Sequence, residues 1–222
     1  MKGTLGYDYH RNRKNKRALS YRLRKRTEKV LAAIDSCFPN PSKILDLGTA
    51  DGLMLGKIKD RFPDCECWGV EYSSELIKAN QDKRLKIIQA DVLNLPDQIK
   101  KQKFDVIIAA ALIEHLKEPK KMPAVVDEIL AEKGVLIITT PVPFFEKLAS
   151  KVGHLSSADQ HWQTFTLRKI ETLFWGYKFH LLKKEKFMFS PIGFPFEKRI
   201  ESMMRKIKLE FLMANQLVVF GH

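Results

Sequence analysis

Asp46, Glu71 and Asp91 are the residues of this chain best placed to hold a ligand. Each closes a short apolar run, and open α/β sheets bind their ligands beyond the carboxyl ends of the strands. Asp46 is followed by Gly48-Thr49-Ala50-Asp51-Gly52, a small-residue turn of the kind that lets backbone approach a bound nucleotide closely. Glu71 ends the next run, at a separation that suits a group gripping ribose hydroxyls. A second set, Glu114, His115, His154 and His161, could take a proton from a hydroxyl or amine, a histidine having suitable basicity near neutral pH.

The surrounding pattern supplies a scaffold for these groups. Ile44, Leu45 and Leu47 read as a strand buried on both faces, and Leu53, Met54, Leu55 and Ile58 then return at helical spacing. Further strands are expected over 67–71, 85–90, 104–109, 134–140, 179–189 and 215–220. Ser73 or Ser74 can cap a helix through Leu76 and Ile77, and Thr166 one through Leu167, Ile170, Leu173 and Phe174 that stops at Gly176. A helix through Val125, Val126, Ile129 and Leu130 is framed by Pro119 and Pro123, and a short one is expected over 144–152. Residues 196–213 read as one basic amphipathic helix, with Ile200, Met203 or Met204, Ile207 and Phe211 on its apolar side.

The spacing Asp46-x-Gly48-x-Ala50-x-Gly52 resembles the first motif of class I S-adenosylmethionine-dependent methyltransferases, an acidic residue followed by Gly-x-Gly-x-Gly. Ala50 departs from the pattern by a methyl group that limits positive φ. A dinucleotide fingerprint fits less well, because Leu53 stands where its third glycine is needed for close helix–strand packing. The segment from Phe104 to Leu116, with its Glu114-His115 pair, looks like that of small-molecule methyltransferases, including quinone-biosynthesis O-methyltransferases.

The resemblance implies an α/β, Rossmann-like fold: a seven-stranded, mostly parallel sheet, its last strand inserted antiparallel at the edge, with helices on both faces. It implies S-adenosylmethionine as cofactor, held by Asp46, Gly48, Thr49, Ala50, Gly52, Glu71, Tyr72, Asp91, Val92 and Ala110. Asp91 would meet the adenine amino group and the Val92 N–H a ring nitrogen. Ala111 stands where many relatives carry a polar or acidic residue facing the acceptor, so a base must come from elsewhere. His161 and His115 are the candidates. The activity implied is methyl transfer to a small molecule, at oxygen. The alternatives are an RNA or protein acceptor, or a non-catalytic cofactor-binding protein.

Length and charge bound the rest. The 222 residues suit one methyltransferase domain over 43–222, preceded by a basic helical extension over 1–42. Of the formal net charge of +13, residues 1–29 carry +9. Such a segment can meet nucleic acid, anionic lipid or an acidic substrate, or be a solvated helix face. Tyr7, Tyr9 and His10 are candidates for a lid over the cofactor or for a frayed end. Phe187, Phe189, Phe194 and Phe196 suit either a core or an apolar, lipid-linked acceptor. No apolar run is long enough to span a bilayer and no signal peptide is visible, while Cys37, Cys65 and Cys67 cannot form a disulfide framework. A cytoplasmic location is the simple expectation.

Overall fold

A computed structural model of the chain describes residues 16–143, 162–190, 193 and 196–222. Seven strands form one sheet: β1 (Lys43–Leu47), β2 (Glu66–Glu71), β3 (Lys86–Gln89), β4 (Phe104–Ala110), β5 (Leu130–Pro141), β6 (His180–Phe187) and β7 (Asn215–Gly221). Their order is β3-β2-β1-β4-β5-β7-β6. The first five run parallel, and β7 is antiparallel to both β5 and β6, so β6 points the same way as β1. This is the Rossmann-like sheet expected, with one correction. β7 is not the edge strand but lies one in from it, and the edge is β6. Side chains explain the exchange. Every residue of β7 is buried, whereas β6 exposes Leu181 and Leu182 and carries Lys183, Lys184 and Lys186, charges that discourage a further strand from pairing there.

The central strands are apolar on both faces because each face has its own core. Leu45, Ile107, Leu136 and Ile138 pack on one side with α4 (Asp97–Lys100), α5 (Met122–Ile129) and α6 (Leu167–Phe174). Ile44, Val106, Ile108, Val135 and Ile137 pack on the other with α1 (Arg17–Cys37) and α2 (Leu53–Arg61). The basic helix α1 thus contributes Val30, Ala33 and Ile34 to the sheet's own core. A short helix α3 (Ser74–Ala79) follows β2, its first turn capped by Ser73 Oγ accepting from the Leu76 N–H. Thr166 caps α6 in the same way by accepting from the Lys169 N–H.

The expected single helix over 196–213 is divided. Helix α7 (Glu197–Lys206) stops in a left-handed turn at Lys208, φ 59°, where the Leu209 N–H reaches back to the Met204 carbonyl at 2.8 Å, and a 3₁₀ turn covers Glu210–Leu212. Most of its apolar side faces outward. Glu197, Glu201 and Met204 are buried, while Met203, Ile207 and Phe211 are exposed. Of the four phenylalanines singled out, Phe187 is buried in the core, Phe189 is half-buried, Phe196 is exposed, and Phe194 lies outside the described residues. The helix expected over 144–152 and residues Tyr7, Tyr9 and His10 also lie outside them. Among the described residues, no helix is long and apolar enough to cross a membrane.

Candidate active site

The strand order reverses between β1 and its neighbours β2 and β4, and beyond the carboxyl ends of these strands opens a cleft of about 400 Å³. Its floor is the turn after β1. Gly48, Ala50 and Gly52 all have positive φ, at 73°, 54° and 74°, so the backbone alternates through three left-handed residues before entering α2. Glycine takes that conformation freely, but at Ala50 the methyl group carries a cost of roughly 1 kcal/mol.

Hydrogen bonds hold the turn in this form. The N–H groups of Gly48 and Thr49 donate to the Val70 carbonyl, at 2.8 and 3.1 Å. Glu71 then clamps the next step: Oε2 accepts from the Ala50 N–H and Oε1 from the Ser73 N–H, both at 2.9 Å. Each carboxylate oxygen retains a further lone pair able to accept a ligand hydroxyl. Close packing fixes the rest. A Cβ at Gly48 would lie 2.9 Å from Leu112 Cδ1, and one at Gly69 would lie 2.6 Å from Thr49 Cγ2.

At the end of β3, Asp91 Oδ1 accepts from the Leu93 N–H at 2.9 Å, an Asx turn that aims the carboxylate along the cleft wall. Thus Gly48, Ala50, Glu71, Tyr72, Asp91, Val92 and His115 line one cavity. Asp46, Thr49, Gly52 and Ala110 are not among its lining residues. Asp46 is buried beneath the turn, Thr49 packs against Gly69, and Gly52 faces Leu85 and Ile87 as it opens α2. His154 and His161 lie outside the described residues.

The opposite wall holds Ala111, noted in the sequence, together with Lys117 and Trp162, which were not. Ala111, also left-handed at φ 53°, is tied to β5 by its N–H donating to the Thr139 carbonyl at 2.8 Å, and it lines the cleft beside Leu112, Leu116, Lys117 and Trp162. The Trp162 N–H donates to the Glu114 carbonyl at 2.9 Å, and the Lys117 ammonium lies 5.2 Å from the indole centroid. Glu114 does not face the cleft. Its side chain is buried behind the wall, where the Thr140 hydroxyl donates to Oε2 at 3.0 Å. Burial pushes its carboxyl up to about 7, against smaller opposing effects that include the charge of Arg26 and the Thr140 bond.

A second, larger hollow of about 830 Å³ adjoins the cleft, and Lys117, Glu118 and Lys121 line both. Lys120, Arg168 and Lys169 complete a set of five cations there against Glu118. Among the described residues, only Lys121 of the five is in an ion pair, with Glu118 at 2.7 Å. A trough of this charge receives an anion in preference to a neutral molecule.

The chain is similar to known proteins over most of its length. A family described as "Methyltransferase domain" matches residues 8–184. Over 114 residues the chain is 32% identical to the tRNA (carboxymethyluridine(34)-5-O)-methyltransferase of Arabidopsis thaliana, covering 50% of this chain and 26% of that protein. Over 107 residues it is 31% identical to the demethylmenaquinone methyltransferase of Thermotoga maritima, covering 47% of this chain and 45% of that one. The chain therefore spans less than half the length of these curated relatives. Among solved structures, the plantazolicin methyltransferase BpumL in complex with SAH superposes with a TM-score of 0.68 at 18% identity, over 96% of this chain and 88% of that one. The N-methyltransferase NodS of Bradyrhizobium japonicum WM9, in complex with S-adenosyl-L-homocysteine, gives 0.61 at 13% identity, over 95% and 90%.

Proposed function

The chain belongs to the methyltransferase domain family, with the fold of its class I S-adenosylmethionine-dependent members, and from that premise we propose that it transfers a methyl group from S-adenosylmethionine to a small-molecule acceptor, at oxygen. The observation that carries this reading is the convergence of Glu71 and Asp91 on one cleft whose floor is the left-handed turn 48–52. The donor set fits the cofactor. Glu71 keeps acceptor capacity for ribose hydroxyls, Asp91 has Oδ2 for an adenine amino group, and Val92 sits beside it at the wall. Asp46, Thr49, Gly52 and Ala110 act from behind, by shaping the turn and the strand ends.

The bound cofactor would supply an activated methyl carbon with a neutral leaving group. This chain's residues then have three tasks: to hold the acceptor oxygen in line, to exclude water, and to take a proton from a hydroxyl. Positioning of this kind is worth roughly 7–11 kcal/mol. Trp162, Leu112 and Leu116 supply apolar walls for it. His115, which lines the cleft, and His161 are the proposed proton acceptors. The free thiols of Cys37, Cys65 and Cys67 suit a protein of the reducing cytoplasm.

One observation favours a second reading. The five-cation trough that continues the cleft suits a phosphate-bearing acceptor such as RNA. Calorimetry tests the central claim. S-adenosylmethionine is expected to bind and NAD not to, and Glu71→Ala to weaken the former by about 2 kcal/mol or more, having removed both ribose contacts and the clamp on Ala50. Equal affinity of wild type and variant would show that Glu71 is no ribose ligand.

A further inference from the structure

Helix α7 is amphipathic and sits inside-out. Its buried side is charged. Glu201 Oε1 accepts from the Met188 N–H at 3.0 Å and the Phe189 N–H at 3.3 Å, and pairs with the buried Lys25 ammonium at 3.0 Å. Four residues earlier, Glu197 Oε1 accepts from the Ser190 N–H at 3.1 Å, and the Tyr21 hydroxyl donates to its other oxygen. One turn of carboxylates thus fastens the helix to α1 and to the segment leaving β6. Buried charges persist when paired and hydrogen-bonded in this way, so the orientation is specified.

The outward side is what a core would ordinarily claim. Phe196 is 73% exposed, Met203 56%, Ile207 55% and Phe211 58%, with Ile200 half-buried among them. Their spacing of four, three, four and four residues draws a single stripe along α7 and the turn after it. Lys198, Arg199, Lys206 and Lys208 flank the stripe and are exposed, and Glu210 is the one exposed carboxylate between Phe196 and Met213.

We infer that this stripe and its lysine margin form a docking surface for an anionic lipid bilayer. Three features select that occupant over a protein. Exposed apolar side chains bordered by Lys and Arg match the acyl boundary below and the anionic headgroups above. Lysine is depleted in protein–protein interfaces, yet it forms this margin, where long side chains can lie along the boundary with their charges in the headgroups. The surface is a single convex helix and turn, which a fluid interface accommodates without a complementary groove. The placement also has a use. β6 points as β1 to β4 do, so the segment Met188–Ser190 that seats α7 leaves the same rim of the sheet onto which the cleft opens. Docking through α7 would bring the end of β6 that shares this rim close to the bilayer, whatever the methyl acceptor.

The test is co-sedimentation of the full chain with vesicles of phosphatidylcholine containing phosphatidylglycerol, and with phosphatidylcholine alone. Binding is expected on the anionic vesicles, about tenfold or more over the neutral ones, and should weaken as salt rises. The double variant Ile207→Gln/Phe211→Gln should lose about tenfold or more in partitioning, with its melting temperature and S-adenosylmethionine affinity retained, because both residues are exposed and neither lines the cleft. Lys198→Gln/Lys206→Gln should lose binding to anionic vesicles alone. No binding to either vesicle, or equal binding by wild type and the Ile207/Phe211 variant, would overturn the inference. So would concentration-dependent self-association, seen by light scattering without vesicles and abolished by that variant, since the occupant would then be a second copy of the chain.

Discussion

Ala50 holds φ 54° between two left-handed glycines, and its N–H is spent on Glu71. A residue with a Cβ is retained there at a conformational cost, so Ala50→Gly should raise the unfolding free energy by about 0.5–1 kcal/mol, measured by urea denaturation. Glu114 makes a different prediction. Its carboxyl ordinarily titrates at 4.5 and is raised to about 7 by burial, so between those values the folded chain keeps a proton that the unfolded chain releases. Stability from this group is therefore greatest below pH 4.5 and is lost as pH climbs through 7. Glu114→Gln should flatten that dependence by roughly 3 kcal/mol across the window, as judged by chemical denaturation at a series of pH values. The role of Ala50 as a site of constrained φ was legible from its place among glycines. The burial of Glu114 was not, since a Glu-His pair after a strand reads equally well as a pair facing the ligand.

At the scale of elements, runs with one dominant driving force were legible and those with two were not. β1 and β4 are covered on both faces and so appear as continuous apolar stretches. Ser73 and Thr166 announce their helices because their side chains bond locally. In α7 the apolar period is correct, but a period cannot say which face turns inward. Here the ion pair with Lys25 and the bonds from Met188, Phe189 and Ser190 decide, and all are distant in sequence. The end of α7 was hidden for another reason: Lys208 occupies a left-handed position usually marked by glycine. Replacing it, Lys208→Gly should stabilise the chain by about 1 kcal/mol in thermal denaturation, because an exposed side chain contributes little there to offset the backbone strain.

Across the whole molecule, the sheet gathers residues from the ends of β1, β2, β3 and β4 at one switch point, which is why spaced carboxylates in the sequence could indicate a site. The other wall could not be anticipated. Trp162 and Lys117 meet only because the chain returns to Glu114 after β5, and the five-cation trough joins α6 to the segment before α5. If that trough receives the acceptor, Lys120→Glu/Arg168→Glu should raise KM for an anionic acceptor about tenfold or more while leaving S-adenosylmethionine affinity unchanged, because neither residue borders the cleft proposed to hold the cofactor. An RNA acceptor would in addition show binding that falls steeply with salt.

The clamp formed by Glu71 has one further bearing. Because its two oxygens already engage the amides of Ala50 and Ser73, the floor of the cleft is set before any visitor arrives. Little ordering entropy then remains to be lost on association. Deuterium should enter those two amides almost as slowly in the bare protein as in the loaded one, and recognition of the nucleoside would be that of a finished mould and not of a closing hand.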